Sequence, residues 1–433
     1  VERLLSLVGL AAMVGFAYLL STDRKAVKWR TVLWGVGLQL IIGCVILLPA
    51  AGQQVFDAVD VAVRTLLSFS EEGSDFLFQT VEAHRIELVA PDGSLSNPTF
   101  IGHISPPLKT VAFWVLPSVI FFSALMALLY HYGIMQHLVA FFARIMQRTM
   151  GTSGSESLSA AANILVGQTE SPLVVRPFIK NMTDSELHAV MVGGFATIAG
   201  GVMAVYVGVL GHIEGIAGHL VIASLMSAPA ALAISKVMLP ETHASETMGS
   251  VNVAFERLDV NGIEALSRGA LDGLRLALNI AAMLIVFVAV IAMVNAILGT
   301  VGDVVGFENL SLQLIGGWLF APFAFLMGIP WEESRTVGML LGEKIVLTEL
   351  IAFFHLSEIQ ASAQALSPRS AVITSYALCG FANFASIGIQ IGGIGGIAPE
   401  RQPDLARLGF RAMIGGTIAA MMTGCVAGML WSP

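Results

Sequence analysis

Gly167-Gln168-Thr169-Glu170-Ser171-Pro172 sets an amide, two hydroxyls and a carboxylate in a chain that is otherwise apolar. These groups suit binding rather than bond-making. Amides and carboxylates can take two hydroxyls or the edge of a base, so a neutral polyhydroxylated ligand fits the mixture. Glu170 is the leading candidate, because an ionisable group at membrane depth is costly and marks a functional site by default. An internal ion pair with Arg176 or Lys180 is its plainer reading. Glu349 lies in the apolar run Leu347-Thr348-Glu349-Leu350-Ile351 and also demands a pocket or an ion-pair partner. Asn163, five residues before Gln168, could lend its side-chain carbonyl to a cation or bridge helices. Phe381, Asn383 and Ser386 follow Gly380. An amide and an aromatic two residues apart share a helical face only if the helix is loosened there, which the glycine permits.

The elements that must carry these residues are membrane elements. The 433 residues are 56% hydrophobic and 12% charged, with a mean hydropathy of +0.80, whereas a soluble domain carries about 25% charged residues. Spanning helices are expected over 4–20, 31–48, 108–129, 187–210, 218–239, 274–298 and 405–430. An eighth crossing is expected from pieces between Lys344 and Ile397, interrupted by the polar run 357–369. Each long apolar window approaches the roughly 18 residues needed to cross hydrocarbon. The first is read as a true helix rather than a removed signal peptide, since it lacks a basic start and a small-residue cleavage pattern.

Arg24, Lys25, Lys28 and Arg30 fill the first short loop and place it on the cytoplasmic side, which puts both termini outside. The segments 56–69, 134–150 and 258–273 read as amphipathic helices along the interface. The basic residues form no nucleic-acid stripe, and the net charge is −8. Cys44, Cys379 and Cys425 are expected to be free thiols.

Two stretches are too interrupted to span. Residues 155–178 run apolar, turn polar at 167–170 and meet Pro172, which cannot donate a backbone hydrogen bond. Residues 312–341 break near Pro330. The topology has the first entering from the inside and the second from the outside. Each is followed by an interrupted helix, at Gly200-Gly201 and at 357–369. Paired broken segments of opposite polarity are the trace of an inverted repeat whose breaks meet at the midplane and form a site. Glu343 and Lys344 read as a solvated interfacial pair, Glu332, Glu333 and Arg335 as gate contacts or a local salt bridge, and His355 as a hydrogen-bonded structural histidine. Gly388, Gly392 and Gly396 read as a close-packing stripe. The fold class is therefore an all-α polytopic membrane protein with eight transmembrane helices, two opposed re-entrant helical hairpins and interfacial helices.

The run from Asn163 to Pro177, with Gly328-Ile329-Pro330-Trp331, Leu347-Thr348-Glu349 and Gly380-Phe381-Ala382-Asn383 plus Ser386, resembles the concentrative nucleoside transporter family, its bacterial members in particular. The resemblance implies a non-enzyme of the bacterial inner membrane. Such a protein is a homotrimer among lipid that imports nucleosides, uridine and other pyrimidine nucleosides foremost, by sodium symport with an elevator movement. It implies that Gly167, Gln168, Thr169 and Glu170 meet the base, with Val202 nearby and Phe381 packing on the nucleoside. Glu349, Asn383 and Ser386 hold the ribose. Asn163, Val166, Thr197 and Ile198 supply sodium ligands, the valine and isoleucine through their carbonyls.

Thr197 stands where the family often has serine; it keeps the hydroxyl and adds a methyl. The implied division is 1–50 peripheral helices, 51–150 scaffold, 151–210 first hairpin and broken helix of the transport domain, 211–300 scaffold, 301–397 second hairpin and broken helix of the transport domain, and 398–433 a scaffold helix. Proton coupling on the same fold is the alternative, followed by a passive channel for small polar solutes.

Overall fold

The computed structural model describes residues 2–47, 52–78, 85–86, 99–100, 110–249, 259–307 and 310–431. Among these, seven helices are long and apolar enough to cross a membrane: Glu2–Leu19, Trp29–Leu47, Val111–His131, Asp184–Val209, Ile216–Met238, Gly262–Val305 and Pro399–Leu430. The bent pair Leu312–Leu326 and Trp331–Val346 is long and apolar enough only when taken together, and the stretch expected to supply the eighth crossing holds the shorter helices Pro368–Leu378 and Phe384–Ile397. The small departure from all-α structure is one antiparallel pair of two-residue strands, Arg85–Ile86 with Thr99–Phe100. Within 51–106, residues 51, 79–84, 87–98 and 101–106 lie outside the described residues.

The element order repeats. In the first half, Val111–His131 is followed by Ile134–Met150, the half-helix Gly154–Asn163, a turn, and the short helical turns Ser171–Val174 and Arg176–Ile179. The broken helix Asp184–Ala196 and Gly200–Val209 comes next, then Ile216–Met238. In the second half, Gly262–Val305 is followed by Leu312–Leu326, Trp331–Val346, Glu349–Ala361, the broken pair, and Gln402–Leu430. Ile134–Met150 and Leu312–Leu326 are both followed by a left-handed glycine, Gly151 at φ 69° and Gly328 at φ 91°, a conformation that glycine adopts without penalty.

Hydrogen bonds identify the two ends of the molecule. Arg401 donates to the carbonyls of Ile179, Lys180 and Met182, and Arg411 to those of Leu20 and Met238. Arg369 donates to the carbonyls of Gly328 and Gly428, while Ser6 donates to that of Met327. The base of the first hairpin therefore sits at one end, and the segment around Pro330 at the other.

The expected bend near Pro330 is present, with 119° between Leu312–Leu326 and Trp331–Val346. A further turn, Leu347-Thr348, separates Trp331–Val346 from Glu349–Ala361. By element order this turn, and not the break near Pro330 expected from the sequence, is the counterpart of the first hairpin's tip. Two clasps tie these arms together: Ser367 donates to Glu333 at the base (3.0 Å), and His355 Nδ1 meets Glu343 Oε2 (2.9 Å) near the tip.

Local sequence explains the starts. Ser153 with Glu156 and Thr183 with Glu186 form reciprocal capping boxes, satisfying amides that a helix start leaves unpaired. Ser367 and Asn383 cap the two pieces of the second broken helix.

Five expectations need correcting. The 258–273 interfacial helix is not separate, since from Gly262 it continues into one 44-residue helix. Gly269 and Gly273 lie against the backbone of Ser123, Ala124 and Ile120, so the packing runs through without a stop. Of the polar run 357–369 only 362–367 is a turn between helices, and the break lies at 379–383, where Gly380 abuts another backbone. Glu343 and Lys344 are buried and not paired with each other; Lys344 donates to the Ala377 carbonyl (2.8 Å). That ammonium meets the negative end of the Pro368–Leu378 dipole. Gly388, Gly392 and Gly396 face open space, while Gly393 packs against Thr169 of the first tip. Glu333 serves the hairpin base, and Arg335 stacks 3.5 Å over the Trp318 ring rather than joining a Glu332–Glu333 salt bridge. His355 is hydrogen-bonded as expected, and Cys44, Cys379 and Cys425 are free.

Candidate functional site

The two breaks touch. A Cβ on Gly380 would lie 2.8 Å from the Ala196 carbonyl oxygen and 2.9 Å from that of Phe195. A side chain there would push the broken helices apart. Gly194 plays the same part towards the first hairpin, where a Cβ would come 2.7 Å from Gln390 Nε2 and 2.9 Å from Gln168 Cβ. Small residues thus let the first tip, the first break and the second break converge.

One hydrogen-bonded chain runs through this junction. Tyr206 donates to Glu349 Oε1 (2.7 Å), and Asn383 Nδ2 donates to Glu349 Oε2 (2.9 Å). Asn383 Oδ1 accepts from the Ser386 amide (2.8 Å), and Ser386 Oγ accepts from Gln168 Nε2 (3.2 Å). Gln168 Oε1 accepts from Gln390 Nε2 (3.0 Å), which also donates to the Met191 carbonyl (3.1 Å).

Two backbone groups orient every amide in it. The Met191 carbonyl can only accept and the Ser386 amide can only donate, which fixes Gln390 and Asn383, and through Gln390 the Gln168 amide. What remains for a ligand is a second N–H on Gln168 and on Asn383, the Ser386 hydroxyl proton, and two of the roughly four lone-pair sites of the Glu349 carboxylate. Donors at one end and an anion at the other match carbonyls and hydroxyls of one small molecule. Each hydrogen bond to the charged carboxylate contributes about 1.5–3 kcal/mol.

The structure therefore brings Gln168, Glu349, Asn383 and Ser386 together, all buried. Gly167 and Thr169 belong to the same tip, Val202 is buried near the first break, and Phe381 is half-buried in the second. Glu170 is exposed, its carboxylate has no hydrogen bond or ion pair among the described residues, and Lys180 turns instead to Glu400 (3.8 Å). Pro172 opens the hairpin's return as short helical turns, and Ser171 and Pro172 are already buried again after Glu170.

A second cluster lies behind the tip. Asn163 is 1% exposed and its Nδ2 has no partner. A half-turn of the amide would put its oxygen at that place. Ser227 Oγ donates to the Ser224 carbonyl (2.7 Å), so the 2.8 Å bond between Thr197 and Ser227 is donated by Thr197. The lone pairs of Thr197 Oγ1 stay available. Thr197 and Ala199 are extended, which ends one helix and starts the next. The Val166 and Ile198 carbonyls accept no backbone hydrogen bond among the described residues. Uncharged oxygens at an unwound helix suit a monovalent cation, and the described residues hold no His/Cys/Asp/Glu metal cluster.

Sequence reasoning missed Tyr206, Gln390 and Ser227. Tyr206 carried a signal, because a phenol inside the apolar run Gly200–Val209 must find a partner. Gln390, a lone amide in an apolar helix, carried the same one.

Three family models match the chain. A sodium-dependent nucleoside transporter C-terminus model covers 219–428 and its N-terminus model 8–81, while a nucleoside recognition gate model covers 112–213. An uncharacterized transporter of Haemophilus influenzae is 41% identical, with 98% of this chain and 97% of that protein aligned. Sodium/nucleoside cotransporter 1 of Mus musculus is 39% identical over 100% of this chain and 64% of its own length. Solute carrier family 28 member 3 of Eptatretus stoutii is 41% identical over 100% of this chain and 61% of its own. The chain thus spans 61–64% of the first curated relatives it matches. Among solved structures, CNTnw in an inward-facing substrate-bound state superposes with a TM-score of 0.86 at 38% identity, covering 99% of each chain. A CNTnw variant in an outward-facing state superposes at 0.87, with 38% identity over 99% of this chain and 98% of that one.

Proposed function

Because the chain belongs to the concentrative nucleoside transporter family, we propose that it imports nucleosides, uridine and related pyrimidine nucleosides foremost, by sodium symport with an elevator-type movement in a bacterial inner membrane. The observation that carries this reading is the buried chain of hydrogen bonds from Tyr206 through Glu349, Asn383, Ser386 and Gln168 to Gln390. It joins both halves of the inverted repeat and leaves donors and a carboxylate for one ligand.

In this reading ribose hydroxyls donate to Glu349 and accept from Asn383 and Ser386. The base lies against Phe381 and Val202, and its edge meets Gly167, Gln168 and Thr169, with Glu170 contributing from the open rim. The co-transported sodium ion is held by Asn163 and Thr197 side chains and the Val166 and Ile198 carbonyls. These four residues share the first tip and the first break with the base-reading amide, so ordering one orders the other. Cation and nucleoside binding are then reciprocal.

The moving body contains both hairpins and both broken helices. Ile216–Met238 and Gln402–Leu430 pack against Asp184–Ala196, which favours assigning them to that body rather than to the scaffold. Val111–His131 and Gly262–Val305 pack on each other as the scaffold. The apolar face of Gly262–Val305 is left almost wholly uncovered, as a homotrimer seam in lipid would require. Both termini are proposed to lie outside.

The test is labelled uridine uptake into proteoliposomes at fixed pH, under an inward sodium gradient and beside a potassium control. Accumulation above equilibrium that needs sodium is the expected result. Accumulation driven by a proton gradient alone would remove the cation assignment and keep the fold. Equilibration without accumulation would identify a passive channel.

A further inference from the structure

We propose that Gln390 is a positioning residue that fixes which end of the Gln168 amide faces the base, and so sets which base edge the site accepts; this rests on the nucleoside reading above. Gln390 is 1% exposed. Both of its amide hydrogens are used, one on the Met191 carbonyl (3.1 Å) and one on Gln168 Oε1 (3.0 Å). Its own Oε1 is buried with no partner. A buried amide is kept in this register, with its oxygen unsatisfied, because Met191 offers a carbonyl that can only accept.

The neighbour on the other side of Gln168 cannot do this work. Ser386 Oγ accepts from Gln168 Nε2 (3.2 Å), but a hydroxyl is both donor and acceptor and would serve a reversed amide equally well. Only Gln390 distinguishes the two orientations. With Gln390 in place, Gln168 Oε1 is turned towards Gln390, and the amide presents its free hydrogen, a donor, to the base. A base edge carrying a carbonyl acceptor, as in uridine, is favoured over one carrying an amino donor there, as in cytidine. Without Gln390 the amide turns freely and the distinction fades. Gly194 provides the room for this arrangement, since a Cβ there would come within 2.9 Å of both glutamines.

The experiment compares initial uptake of labelled uridine and cytidine in proteoliposomes holding the full chain as wild type, as Gln390→Met, and as Gln390→Glu. Methionine keeps the length and removes the donor; glutamate keeps the shape and replaces the donor with oxygens. The expected result in both variants is a shift of about threefold to tenfold in the uridine-to-cytidine ratio of kcat/KM, towards cytidine, as one lost neutral hydrogen bond implies. The change should sit in KM, with kcat near the wild-type value. Equal losses for both substrates, or a loss confined to kcat, would make Gln390 a packing residue and overturn the proposal. If wild type moves neither nucleoside, the transport reading fails on its own. The positioning claim is then decided by a high-resolution structure of Gln390→Met. A Gln168 amide reversed, or split between its two orientations, supports it, and one kept in the wild-type orientation overturns it.

Discussion

Each half of the repeat turns a hairpin tip towards the middle, and each tip carries one glutamate, yet the two have opposite environments. Glu349 opens a 13-residue helix, is 4% exposed, and receives hydrogen bonds from Tyr206 and Asn383 on its two oxygens. Glu170 precedes a four-residue turn, is exposed, and meets no donor among the described residues. The same residue type is thus a fixed part of the site in one half and a rim charge in the other. A carboxylate held by protein donors away from water interacts far more strongly than one bathed in it.

The sharpest way to break that comparison is Glu349→Gln. It should raise the uridine KM by about 10- to 100-fold, the equivalent of one charged hydrogen bond of 1.5–3 kcal/mol, while purified protein yield stays near normal. Unchanged uridine affinity would count against the ribose role of Glu349. Next in size is Gly380→Ala, which tests whether the two halves must touch for either glutamate to matter. Its Cβ meets backbone on the neighbouring break, so overpacking should cost about 1–3 kcal/mol, seen as a lower thermal midpoint in detergent together with weaker uridine binding. A midpoint equal to wild type would mean the breaks are free to separate.

Thr197→Val asks whether the cluster behind the first tip belongs to the cation. It removes a hydroxyl at nearly constant volume, so half-saturating sodium should rise about 5- to 20-fold, the scale of one buried hydroxyl contact, before the uridine KM at saturating sodium moves. Equal sodium dependence in variant and wild type would dissolve the assignment. The smallest effect is expected from Glu170→Gln, about two- to fivefold in uridine KM and shrinking as salt rises, because an exposed charge is screened. If Glu170→Gln proves as damaging as Glu349→Gln, the contrast between the tips does not hold.

Much of this was legible in the sequence, for particular reasons. The polar turn 167–170 could not be lipid-facing, and basic loops and apolar windows bound the crossings. Glu349, Asn383 and Ser386 were found because each is polar where apolar residues surround it. The same logic does not say which residue of a polar run faces inward, and at 167–170 Glu170 is the exposed one. The glycine stripe was assigned to the wrong glycines because a repeat of four fits several faces of one helix. Packing chose Gly393 against Thr169. The break at 379–383 was read as a loosened helix and the polar run 357–369 as the interruption, because turn residues signal a loop wherever they stand.

The sequence by itself determined the class of molecule, the apolar windows that become its long helices, and the chemical inventory at each interruption, since hydropathy and chain-breaking residues act locally. Tertiary structure alone decided which inventory became a site. Partners such as Tyr206 with Glu349 and Gln390 with Gln168 are separated by 143 and 222 residues. Hydrogen-bond direction was likewise set only when the Met191 carbonyl and the Ser386 amide came to the ends of one chain of amides. Local sequence cannot specify these, because the donor or acceptor that fixes each orientation comes from a different break.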